Sequence, residues 1–185
     1  MAQDFLVNQF LVAMPSLIDP NFQQSVVYIC EHNAQSALGI VINRPTNIVL
    51  NDIFKQLSLK ADDQLGQQPV FQGGPVQTER GFVIHEPPGN WESTLTLGDH
   101  LGVTSSRDVL TSMARGQGPQ KIFVALGYAG WGAGQLETEL ANNSWLNTPA
   151  DHSIIFETPV EQRWQAAAQL IGVDLSLLSG DAGHA

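Results

Sequence analysis

The stretch "KIFVALGYAGWGAGQLETELANNSWL", Lys121 to Leu146, decides how the chain folds. After Lys121 its opening run "IFVALG" is continuously apolar, as in a strand buried on both faces. Glycines then crowd at positions 127, 130, 132 and 134. Glycine tolerates positive φ and close backbone approach, so this part reads as a loop that turns a corner. From Gln135 the pattern becomes helical, with Leu136 and Leu140 on one buried stripe. A strand, a glycine loop and a helix start, in that order, form the usual setting for an anion site. The spacing does not match the known phosphate fingerprints. Counting from Gly130 and Gly132, the third glycine of a dinucleotide motif falls on Gln135, and no Lys-Ser/Thr pair follows. The helix also opens with acids, which compete for its positive end. Glu137 and Glu139 stand two apart, so they do not face each other on a helix. Glu139 reads as part of a solvated acidic face. Glu137 lies within one turn of the glycines and is placed to reach whatever they line. Trp131 and Trp145 read as anchors of the corner to the core.

Outward from this stretch, strand and helix signals alternate irregularly. "FLVAM" (10–14), "SVVYICEHN" (25–33), "LGIVINR" (38–44), "VFQGGPV" (70–76), "RGFVIHE" (80–86), "TLTLG" (94–98) and "HSIIFE" (152–157) read as strands. Four residues separate the second and third, a hairpin length. "NDIFKQL" (51–57) reads as a helix, and "LKADDQLGQQ" (59–68) as a loop. A helix is expected over 106–115, with Ser105 and Asp108 at capping-box spacing. Another is expected over 160–171, with Thr158 as N-cap, Pro159 in the first turn and Gly172 as its stop. Hairpin-like pairs with helices between clusters predict an α+β fold: one domain over 1–175, with a frayed tail over 176–185.

A chain of 185 residues suffices for one substantial core. Its net charge of −10 repels phosphate backbones and anionic membranes, and its eight Lys and Arg residues are scattered along the sequence. Nucleic acid and membrane are therefore disfavoured as partners. The single cysteine permits no internal disulfide and fits a reducing compartment. "MAQDFLVNQFLVAMPS" lacks a basic start and carries Asp4, so it reads as ordered chain rather than a targeting signal. The cytoplasm is the expected location.

Two constellations merit chemical consideration. Cys30 and His32 stand two apart on a strand, so both are expected on one face, where an imidazolium would lower the thiol pKa. The alternative is that Cys30 is a small core residue in an apolar strand. "INRP" and "FQGGPVQTERGF" form the second constellation. Asn43 and Arg44 end a strand, Gly73, Gly74 and Pro75 make a turn, and Arg80 follows closely. Either arginine can bind a carboxylate or phosphate, or it can simply pin a loop. One concave site is expected from Asn43, Arg44, Gly73, Gly74, Pro75, Arg80, Trp131, Gln135 and Glu137. The histidines have no metal-ligand spacing, and no motif calls for a cofactor.

Taken together, "NQFLVAMPSLIDPNFQQSVVYICEHN", "GIVINRP", "VFQGGPV", "RGFVIH" and "GYAGWGAGQLETELANNSWL" resemble the YqgE/AlgH family of bacterial proteins, in family order and over nearly the whole chain. Family members often have a glycine in the turn after "CEHN", where this chain has "AQSAL". The resemblance implies a single-domain α+β fold with a large mixed or barrel-like sheet and flanking helices. It implies no reaction, cofactor or catalytic residue. Some members bear a name that points to regulation of alginate synthesis, which implies transcriptional control. Two function classes stand beside that implication. One is a binding or regulatory module whose cleft takes a small anionic ligand or a protein partner. The other is an enzyme using Cys30 and His32, or Glu137.

Overall fold

The computed structural model describes residues 5–98 and 100–180. Its strands are β1 (Gln9–Ala13), β2 (Val26–His32), β3 (Ser36–Val41), β4 (Pro45–Val49), β5 (Pro69–Gln72), β6 (Val76–Glu86), β7 (Thr94–Leu97), β8 (Leu101–Thr104), β9 (Lys121–Gly132) and β10 (Trp145–Pro149). The helices are α1 (Leu50–Gln56), α2 (Asp63–Gly66), α3 (Asp108–Ala114), α4 (Gln135–Ala141), α5 (His152–Phe156), α6 (Arg163–Leu170) and α7 (Leu175–Gly180). The strands curl into a half-barrel in the order β10-β1-β2-β3-β9-β6-β8-β7, with β5 also beside β9 and β4 beside β5. The pairings are antiparallel except that of β5 with β9.

β9 is the spine of this sheet, and here the glycine-rich stretch departs from expectation. The strand does not stop at Gly127 but runs on to Gly132. Its first half lies between β5 and β6, and its second half pairs with β3 through Ala129, Gly130, Trp131 and Gly132. Gly127 has φ +79°, and a Cβ there would fall 2.5 Å from the Gly74 carbonyl oxygen. Gly73 presses as closely, with an added Cβ 2.3 Å from the Gly127 oxygen. These glycines let two backbones meet where the sheet divides. The corner itself is confined to Gly134, whose φ of +73° starts α4.

Alternating side chains divide the core. The inner face spans the whole sheet, from Phe10, Tyr28 and Ile40 to Phe82, Ile84, Val103 and Phe123. It is closed by Ile154, Ile155, Ala167, Ala168 and Leu175 from α5, α6 and α7. The outer face carries two clusters. One joins Leu11, Val27, Ile29, Trp131 and Trp145 to Leu136 of α4. The other joins Val70, Val83 and Val124 to Leu50 and Phe54 of α1 and to Val109 and Met113 of α3. On the inner side Arg163 is buried, donating to the carbonyls of Ile42 and Thr158 and stacking over Phe71 and Phe123. Burial brings its pKa down to about 10, which leaves it charged at neutral pH.

Other local expectations are also corrected. "HSIIFE" forms helix α5, because Asp151 accepts from Ser153 N and starts a helical turn, and both isoleucines reach the inner core. A short apolar run does not by itself distinguish strand from helix. Asp62 caps Leu65 N and makes α2 inside the expected loop. Ser105 does not cap α3; Asp108 instead bonds Ser106 and the Glu92 N–H. A 3-10 turn, Val160–Gln162, precedes α6. Where the tail was expected, the chain forms α7, and residues 181–185 lie outside the described residues.

Candidate functional site

The expected site residues occupy neighbouring segments, but their side chains are turned to structural work. Gln72 N donates to Arg44 O, Gly73 N donates to Leu126 O, and Gly74 lies against the Tyr128 backbone. Asn43 accepts from Val26 N and donates to Gln24 O. Arg44 donates to the carbonyls of Pro20 and Gln23, at 2.7 and 2.8 Å, and so pins the loop before β2. Partial burial lowers the Arg44 pKa. Phe22 of the same loop stacks on Trp131. Arg80 lies over the rings of Phe82 and Tyr128, and with Pro75 it borders an open depression. Gln135 accepts from Gly132 N, and Glu137 turns back to His32. Of the nine expected residues, Pro75 and Arg80 share a depression, while Asn43, Arg44 and Gln135 are engaged by hydrogen bonds within the fold.

The Cys30–His32 pairing is corrected by a bulge. Between Ile29 and Glu31 the register with β3 slips by one residue. A one-residue slip sends the later residues of the strand to the other face. Cys30 stays in the inner cluster, whereas His32 sits opposite Ala37 of the outer cluster. Cys30 is 2% exposed, and burial pushes its thiol pKa up. Nδ1 of His32 accepts from Leu6 N, so Nε2 carries the hydrogen and faces Glu137 Oε2 at 3.3 Å. The histidine fastens α4 and the N-terminal segment to the sheet instead of activating a thiol.

Glu139 is the carboxylate that sequence reasoning assigned to solvent. It accepts from the indole N–H groups of Trp131 and Trp145 at 3.0 and 2.9 Å, and from Gln135 Nε2. Two tryptophans flanking an acidic helix were the available signal.

A groove with a predominantly apolar lining lies elsewhere. It measures about 520 Å³ and runs between α1 and α3 on the outer face. Ile53 and Leu57 form one wall, Val109 and Leu110 the other, and Val83, Val124 and Leu126 line the floor. Ile48 extends the apolar lining, while Asp52, Glu79 and Arg107 bring charge to it. Asp52 is committed to Val49 N at the start of α1. Arg107, at the start of α3, donates Nη2 to Leu57 O at the end of α1 and so ties the two walls together.

Thr104 also borders this groove and belongs to a buried polar chain. His85 Nε2 lies 2.7 Å from Thr104 Oγ1, which lies 2.7 Å from Thr94 Oγ1, and His85 Nδ1 lies 2.9 Å from Pro87 O. The carbonyl can only accept, so Nδ1–H donates to it and neutral Nε2 accepts from Thr104. Burial lowers the His85 pKa in keeping with this neutral form. Gly102 leaves room for the ring: a Cβ there would come within 2.5 Å of it.

The family model described as AlgH-like matches residues 10–176. The chain belongs to the AlgH-like family. An AlgH-like relative, a UPF0301 protein of Thioalkalivibrio sulfidiphilus, is 58% identical over 184 residues, covering 100% of this chain and 99% of the relative. A UPF0301 protein of Nitrosococcus oceani is 55% identical over 179 residues, 96% of each chain. The AlgH-like architecture recurs in the solution structure of the AlgH protein from Pseudomonas aeruginosa, at TM-score 0.82 and 48% identity over 100% of this chain and 98% of that one. A crystal structure of a protein from Corynebacterium diphtheriae shares the fold at TM-score 0.76 and 19% identity, covering 97% and 94%. Among the described residues, no helix of this AlgH-like chain is long and apolar enough to cross a membrane.

Proposed function

We propose that the chain is a cytoplasmic binding module whose α1–α3 groove takes a small ligand with an apolar body and a carboxylate. The observation that carries this reading is the groove itself, apolar along both walls with Arg107 beside it. Its volume of about 520 Å³ falls within the usual range for small-molecule sites, roughly 300–1,000 Å³. The Leu57 carbonyl takes only one guanidinium nitrogen, so Arg107 is held in place with donors to spare. A regulatory role would follow from ligand-dependent changes at α1 and α3. An enzyme built on Cys30 and His32 has less support, because the bulge parts them and the thiol is buried.

Thermal unfolding with 3-phenylpropanoate tests the proposal. A ligand at 100 times its Kd stabilises by roughly 2.7 kcal/mol. The carboxylate should stabilise more than 3-phenylpropan-1-ol, and NMR shift changes should map to Ile53, Val109 and Leu126. Arg107→Gln should remove the preference for the acid, while Arg107→Lys keeps part of it. If neither compound stabilises the protein, or the shifts map elsewhere, the groove is not the site.

A further inference from the structure

The groove carries a second free charge beside Arg107. Glu79 borders it from an irregularity in β6, where Val76 pairs with Tyr128 but Gly81 already pairs with Leu126. Four residues of β6 thus stand where β9 has Gly127 alone, and they project as exposed "QTER". Register places Glu79 and Arg107 at the same end. Val83 pairs with Thr104, and the antiparallel strands carry β6 back towards Glu79 as the other chain runs on to Arg107. Both side chains are exposed. Among the described residues Lys121 pairs with Glu157 and the His32 ring meets Glu137 through Nε2–H, whereas Glu79 and Arg107 do not pair with each other within 4.0 Å.

We infer that the groove reads a zwitterion: an α-amino acid with a large apolar side chain. The inference rests on the groove being the binding site. The α-carboxylate meets Arg107, the ammonium meets Glu79, and the side chain lies between Ile53, Leu57 and Leu110. A zwitterion also fits the field of the molecule. A net charge of −10 opposes a simple anion, whereas a ligand with no net charge escapes that repulsion. Opposite charges left unpaired beside an apolar groove suit a ligand that carries both on adjacent atoms.

Three probes with one skeleton decide it: L-phenylalanine, 3-phenylpropanoate without the ammonium, and 2-phenylethylamine without the carboxylate. Titration of the whole chain, followed by NMR, should give phenylalanine tighter binding than either, by roughly two- to fivefold, the upper range of one exposed ion pair. Glu79→Gln should cancel the advantage over 3-phenylpropanoate without changing the melting temperature of the free protein. If 3-phenylpropanoate binds as well as phenylalanine, the groove stands and the zwitterion reading falls. If the amine binds best, Arg107 has no part and this reading falls too. If none binds, the groove assignment fails with it.

Discussion

Two indole N–H groups and one amide converge on the carboxylate of Glu139, an arrangement that the flanking tryptophans hint at but do not specify. Trp131 and Trp145 are 5% and 2% exposed, so their N–H groups have little recourse to water. Glu139→Ala should therefore cost about 1–3 kcal/mol in denaturant unfolding, and Glu139→Gln less, since it keeps one acceptor oxygen. Equal losses in the two variants would show that the carbonyl alone cannot hold the indoles. A second residue with a measurable signature is His85. Its folded pKa lies below the ordinary value, so at acid pH the unfolded chain binds the proton more readily. The stabilising contribution of the neutral ring is present above about pH 6.5 and is lost as pH falls through the lowered folded pKa. His152 is shifted the same way by burial, so it adds to the same decline. The test is a comparison of stability against pH for the parent and His85→Gln. The difference between the curves should shrink as pH falls below 6.5 and stay constant above it. A difference that is flat across this window would show that the ring does not titrate on unfolding.

At the scale of elements, β9 shows what periodicity reveals and what it hides. Its apolar half was legible because a strand buried on both sides needs no alternation. Its glycine half was not, since the partners that make glycine necessary, Gly74 and β3, lie far away in sequence. The same limit explains β4, β8 and β10, short strands whose identity depends on pairing more than on composition. It explains the bulge in β2 as well, where an unbroken alternation put Cys30 and His32 on one face and a single extra residue parted them. The groove was illegible for a related reason: its lining comes from α1, β6, the start of α3 and β9, and no local motif joins them. The glycines of β9 give a direct test of this account. Gly127→Ala meets both positive φ and a backbone oxygen at 2.5 Å, and should destabilise by roughly 2–4 kcal/mol. Gly132→Ala, five residues along the same strand, has nothing within 4 Å of the added methyl and should change stability by no more than about 0.5 kcal/mol. Similar losses at both positions in denaturant titrations would mean that strand flexibility, not close approach, selects the glycines.

At the scale of the whole molecule, the distribution of charge bears on whether this chain acts on DNA directly. Neutralising several phosphates at once requires a basic face. Of the eight Lys and Arg residues, Arg163 is buried among backbone carbonyls and aromatic rings. Arg44 is occupied by the loop before β2, and Lys121 pairs with Glu157 at 3.8 Å. Lys55 and Arg107 belong to the α1–α3 side, where Asp52, Asp62, Asp63, Glu79 and Asp108 are interleaved with them. Arg80 stands apart over Phe82 and Tyr128. Three of the eight are thus engaged within the fold or paired, two more share their side of the molecule with acids, and the net charge of −10 repels a polyanion at longer range. The expected result is no saturable binding to duplex DNA at physiological salt, measured by fluorescence anisotropy with labelled duplexes of varied sequence. Lowering the salt should not rescue it, because a longer Debye length strengthens the repulsion along with any local attraction. Binding that weakens steeply as salt is added would overturn this reading, since that slope counts phosphates neutralised. If amino-acid binding in the groove then made such DNA binding appear, α1 and α3 would be a ligand-controlled face, and the repulsion argued from the unliganded chain would apply to that state alone.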